Sequence, residues 1–145
     1  MKIQVINGPN LNMLGQREPG IYGAETLEDI QRRLEEIGRE LGLDLDFMQS
    51  NLEGELVTAI QAAGRQADGV VLNAGGYTHT SVALRDAVLC CDAPVVEVHL
   101  SNPQAREPFR QLSLLAGAGA GSIAGFGWRS YELALRWLAG NEPKK

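Results

Sequence analysis

Short runs of β-branched and aliphatic residues alternate with longer stretches in which apolar residues return every three or four positions, and the alternation occurs five times. Lys2–Asn7 reads as a strand ending in a turn signal, Asn7-Gly8-Pro9-Asn10. A loop rich in glycine, Gly15–Gly23, follows. Thr26 then precedes Leu27-Glu28-Asp29 as a helix start. Leu27, Ile30, Leu34, Ile37 and Leu41 form one apolar stripe with charges opposite, closed by Gly42. Leu43–Gln49 alternates apolar and acidic residues, as an edge strand does. Glu53–Gln66 is predicted as a second helix, and Gly69–Asn73 as a central parallel strand buried on both faces. Ser81–Cys91 follows as a third helix and Pro94–Leu100 as a fourth strand. Arg106–Leu115 is predicted as a short helix with Pro108 in its first turn. Ser122–Phe126 is a fifth strand and Arg129–Leu138 a terminal helix.

Five β/α units with connections this short require right-handed crossovers and one parallel sheet covered on both faces. No linker or internal repeat interrupts the pattern, so residues 1–145 are expected to form one domain. The predicted fold class is α/β: a flavodoxin-like three-layer sandwich whose five-stranded parallel sheet has the order 2-1-3-4-5.

Composition narrows the function. The chain carries a net charge of −5, spread along its length. That excludes a nucleic-acid footprint, which needs a basic face, but leaves room for an anion site built by local arginines. No apolar run approaches the roughly 18 residues that span a membrane, and Met1–Ile6 is too brief for a signal segment. Cys90 and Cys91, adjacent in an apolar helical stretch, are expected to be small core residues in a reducing cytoplasm. His79 and His99 lack any metal-ligand spacing. Gly117–Ser122 precedes a strand rather than following one, and Gly125-Phe126-Gly127 lacks the rest of a dinucleotide fingerprint. No cofactor is expected.

In open parallel sheets, ligands bind outside the carboxyl ends of the strands. Asn7 and Asn10, Asn73 with the segment to Ser81, and Glu97, His99, Ser101 and Asn102 all lie there, on strands predicted to be adjacent. Glu97 and His99 are two apart, hence on one face of a strand that should be buried, where an unpaired charge is costly. The pair is either a satisfied structural contact or a catalytic acid with its tautomer fixed. Asn73-Ala74-Gly75-Gly76 is either a capped βα turn or a cradle of backbone N–H groups for a carboxylate. In the glycine-bearing loop, Arg17 and Tyr22 are either solvated or meet, the guanidinium lowering the phenol's pKa to make a base under a closing lid. Arg106 and Arg110, four apart, lie on a solvated helix face or clamp a carboxylate.

Four blocks now stand in order: Asn7-Gly8-Pro9-Asn10-Leu11, Arg17-Glu18-Pro19 with Tyr22-Gly23, Asn73 to Ser81, and Glu97-Val98-His99-Leu100-Ser101-Asn102. Together with Arg106–Arg110 and the closing Gly125-Phe126-Gly127 and Tyr131, the chain resembles the type II 3-dehydroquinate dehydratases over nearly its whole length. The resemblance implies one catalytic domain that dehydrates 3-dehydroquinate through an enolate, with no cofactor and no Schiff-base lysine. No lysine lies between Lys2 and Lys144. It implies Tyr22 as the base, Arg17 as the group that lowers its pKa, and Asn10 as holder of a water against the enolate oxygen. His99 is implied as the acid for the departing hydroxyl, with Glu97 behind it. Asn73, His79, Leu100, Ser101 and Arg110 are implied to bind substrate, and Asp86 to reach a neighbouring subunit's site. A cytoplasmic dodecamer built from trimers is also implied. Gln111-Leu112-Ser113-Leu114 and Ser130 depart from the family's pattern. Both lie near strand five and are expected to bear on subunit packing rather than chemistry.

Overall fold

Every residue of Gly69–Asn73 is buried, which fixes this run as the middle of a sheet covered on both faces. The structure, a computed structural model, describes residues 1–16, 18–22 and 24–141. In chain order its elements are β1 (Lys2–Asn7), α1 (Pro19–Tyr22), α2 (Leu27–Leu41), β2 (Asp44–Gln49), α3 (Glu53–Gln66), β3 (Gly69–Asn73), α4 (Val82–Leu89), β4 (Val95–His99), β5 (Gly121–Ala124) and α5 (Arg129–Gly140). All strand neighbours are parallel, in the order β2-β1-β3-β4-β5. The flavodoxin-like arrangement expected from the alternating pattern is the one observed.

Period-two alternation along the strands divides the core. Ile3, Val5, Val71, Val96 and Val98 face α2 and α5, packing with Ile30, Leu34, Tyr131, Leu135 and Leu138. Ile6, Val70, Leu72 and Val95 face α3 and α4, packing with Leu56, Ile60, Leu84 and Val88. Helix α2 begins in a capping box: Thr26 Oγ1 accepts from the Asp29 N–H, and Asp29 Oδ2 accepts from the Thr26 N–H. It ends where Gly42 takes a left-handed conformation.

Three expectations are corrected. Arg106–Leu115 is not one helix: it holds one short 3-10 turn, Pro108–Arg110, after a separate turn at Pro103–Ala105, and the rest is irregular chain. Pro108 is the reason. A residue before proline is pushed out of the helical region, and Glu107 is extended at φ −59°, ψ 148°. Arg106 and Arg110 therefore do not share a helix face. The expected loop Gly15–Gly23 contains a turn of helix, α1, opened by Pro19 at a position that suits proline. Finally, Cys90 is exposed rather than in the core, while Cys91 is half-buried. The buried stripe of α4 runs Leu84, Ala87, Val88, and Cys90 lies off it.

Two glycines set the upper edge of the sheet. A side chain at Gly8 would place its Cβ 2.5 Å from the Ala74 carbonyl oxygen, so the loops leaving β1 and β3 touch backbone to backbone. Gly75 has φ +60°, which favours glycine. Gly8→Ala should destabilise the chain by about 1–3 kcal/mol, because the obstacle is main chain and cannot rotate aside. A denaturation midpoint unchanged from the parent would show that this contact is not required.

Candidate active site

The carboxyl ends of β1, β3 and β4 open into a cavity of about 160 Å³, bounded by Pro9, Asn10 and Leu11 from the first loop and by Asn73, Gly75, Gly76 and His79 from the second. His99, Leu100, Ser101, Pro103, Arg106 and Arg110 complete its wall. Two arginines thus give an acidic chain a locally cationic site. The position is the one open parallel sheets reserve for ligands.

Behind His99 lies Glu97, only 3% exposed. Its Oε1 accepts from His99 Nε2 at 2.7 Å and from Ser113 Oγ at 2.7 Å, and its Oε2 accepts from Ser122 Oγ at 2.7 Å. Burial alone raises the pKa of this carboxyl, but the hydrogen bonds from His99, Ser122 and Ser113 outweigh it and hold the group below its ordinary value. Because a carboxylate only accepts, Nε2 carries the hydrogen, and Nδ1 is the nitrogen left to exchange a proton with a bound molecule. His79 is oriented the other way. Its Nδ1 lies 2.8 Å from the Leu112 carbonyl oxygen and so donates, making Nε2 the acceptor of the neutral ring.

Amides are fixed with equal care. The buried Tyr131 hydroxyl donates to Asn7 Oδ1 at 2.6 Å and accepts from Asn73 Nδ2 at 2.8 Å, while Asn73 Oδ1 accepts from the Gly75 N–H at 3.2 Å. Asn73 therefore has one amide orientation. Burial pushes the Tyr131 phenol far above its ordinary range, Asn73 pulling only partly back, so this tyrosine is no base. Asn10 sits at φ 68°, a left-handed conformation that asparagine tolerates better than most residues, and its N–H donates to Asn51 Oδ1 at 3.0 Å. Arg110 holds Glu107 through Nε at 2.5 Å, and its Nη groups bond no described residue. Arg106 Nη1 reaches Ser101 Oγ at 3.4 Å.

The family model described as "Dehydroquinase class II" matches residues 1–139. The chain belongs to the class II dehydroquinase family. It is 55% identical to the 3-dehydroquinate dehydratase of Jannaschia sp. (strain CCS1), across 99% of this chain and all of that one. The 3-dehydroquinate dehydratase of Rhizobium johnstonii is 60% identical over 94% of each chain. The crystal structure of the type II dehydroquinase from Propionibacterium acnes superposes with a TM-score of 0.93 at 46% identity, covering 96% of each chain.

In this class II dehydroquinase family member, Asn10, Asn73, His79, His99, Leu100, Ser101 and Arg110 are brought to one cavity, with Glu97 directly behind His99. Arg17 lies outside the described residues, and so does the side chain of Tyr22, whose backbone closes α1. Asp86 is exposed on α4 and is not part of the cavity wall. Arg106 also reaches the wall, from the end of the Pro103–Ala105 turn rather than from a helix shared with Arg110.

The departing stretch Gln111-Leu112-Ser113-Leu114 also touches the candidate site. Leu112 orients His79 through its carbonyl, and Ser113 bonds Glu97. Ser130 is fully buried, its Oγ accepting from the Phe126 N–H at 3.1 Å where α5 begins. Ser113, Ser122 and Tyr131 are the residues that strand-by-strand reading missed. Only cross-strand register, or the return of a distant loop, could have found them.

A depressed carboxyl has a defined consequence for stability. The folded Glu97 pKa lies below 4.5, so the stability it contributes is fully present above about pH 4.5 and is lost as pH falls through the folded value. The gap in urea midpoint between the parent and Glu97→Gln should therefore be widest near neutrality and shrink on acidification. A gap that stays constant down to pH 3 would mean the buried group is not held as an anion.

Proposed function

We propose that the chain is a hydro-lyase that converts 3-dehydroquinate to 3-dehydroshikimate by anti elimination through an enolate, serving the biosynthesis of aromatic compounds. Full-length membership of the class II dehydroquinase family supports this reading. The observation that carries it is the imidazole of His99, gripped by a buried carboxylate at one nitrogen and lining a cavity that also holds two arginines.

The reaction breaks one C–H bond next to a ketone and one C–OH bond, forms a C=C bond and releases water. It needs a base, an enolate stabiliser and an acid. Tyr22 serves as the base, assisted by Arg17. Of the three tyrosines, Tyr131 is buried and strongly raised, and Tyr77 donates to the Asn51 carbonyl at 3.3 Å, which favours Tyr22. Asn10 steadies a water against the developing enolate oxygen. His99 delivers its proton from Nδ1 to the departing hydroxyl, and Glu97 stabilises the imidazolium that precedes this step. Arg110 clamps the substrate carboxylate with its Nη groups. Asn73, His79, Leu100 and Ser101 hold the hydroxyls, His79 accepting at Nε2.

No metal or organic cofactor enters this scheme. The absence of lysine from residues 3–143 fits a route without an imine. We further read residues 1–145 as one catalytic domain in a cytoplasmic dodecamer of trimers, with the exposed Asp86 of one copy facing the site of the next.

Purified protein given 3-dehydroquinate should raise the ultraviolet absorbance of a conjugated enone, and borohydride treatment should leave the rate unchanged. Tyr22→Phe should lower kcat by about 10²–10⁴-fold while substrate still binds. Binding without turnover in the parent would instead identify a module that has lost catalysis.

A further inference from the structure

Two serines hold Glu97, and the reaction scheme gives neither a task. Ser122 on β5 is the register partner of Glu97 on β4, so the two side chains project from the same face of the sheet. Ser113 arrives from the irregular chain after the Pro108–Arg110 turn. Its role as donor is forced: the oxygen already accepts the Leu115 N–H at 3.1 Å and the Ala116 N–H at 3.0 Å, leaving its one proton for the carboxylate. Oε1 thus takes donors from β4 and the loop, and Oε2 takes one from β5. A carboxylate tied at both oxygens cannot rotate without breaking a bond.

We propose that Ser122 and Ser113 are positioning residues for His99, holding the Glu97 carboxylate in one orientation so that it grips Nε2 and leaves Nδ1 turned toward the reacting hydroxyl. This rests on the dehydratase reading above. An acid must meet its leaving group at a set distance and angle, and an error of about 1 Å in placement is costly. The hydroxyls also keep Glu97 ionised, against its burial beside Leu72, its register partner on β3. Among the described residues, the other ionisable or charged groups lining the same cavity are His79, Arg106 and Arg110. Ser122 is the cleaner residue to test: it is exposed on an edge strand, so alanine leaves no core void, whereas Ser113 also ties its own loop.

The test compares Ser122→Ala and Ser122→Thr, each alone and combined with Glu97→Gln, by kinetics and by carbon-13 titration of the Glu97 carboxyl. Ser122→Ala should lower kcat about tenfold with KM changed less than about twofold. It should also move the Glu97 midpoint and the acid limb of the rate profile together to higher pH. Threonine, which keeps the hydroxyl, should restore both, and alanine should cost nothing further once Glu97 is glutamine. An unmoved Glu97 midpoint in Ser122→Ala, or an equal loss in the Glu97→Gln background, would overturn the proposal. If the parent shows no turnover, the dehydratase reading fails by itself, and the carboxyl midpoint still decides the role of Ser122.

Discussion

A carboxylate placed inside a parallel sheet must be met by donors, because the cost of leaving it unpaired exceeds what the surrounding packing can recover. Glu97 sits under that constraint, and the organisation of the site follows from it. Its three donors come from β4, from β5 and from the chain after Pro108–Arg110, so one side chain ties together three segments distant in sequence. The same bonds decide which imidazole nitrogen is left for chemistry. Folding and acid-base function therefore draw on one cluster, and a change that loosens either loosens both.

The amide network behind the cavity works by the same logic at lower charge. Asn7 and Asn73 are register partners at the ends of β1 and β3, both buried, and Tyr131 reaches them from α5, which packs on the face they share with Val5 and Val71. A single phenol thereby satisfies one buried polar atom on each of two strands and sets the orientation of an amide that lines the cavity. Close contact between the Gly8 and Ala74 backbones keeps the two strand ends together. Pro9, Asn10 and Leu11 of the first loop line the cavity beside them.

Much of this was legible from residues alone. Alternating periodicities gave the element order, crossover rules gave one parallel sheet, and the usual order of flavodoxin-like folds gave its strand order. The two-residue spacing of Glu97 and His99 placed a carboxylate and an imidazole on one face of a buried strand. What escaped depends on quantities that a linear pattern does not carry. Ser122 matters because parallel register sets it beside Glu97, and nothing in its neighbours along the chain says so. Ser113 stood in a stretch read as a departure, yet it folds back onto the site. The helix expected over Arg106–Leu115 ignored the constraint that Pro108 places on Glu107, although proline's effect on its predecessor is a local rule.

The central claim is that buried Glu97 fixes the tautomer of His99. Nitrogen-15 spectra of protein labelled in its two histidines measure this directly at a pH where both rings are neutral. The hydrogen of His99 should reside on Nε2 and that of His79 on Nδ1, the two rings giving opposite patterns. A His99 spectrum with its hydrogen on Nδ1, or an even mixture of the two forms, would contradict the claim.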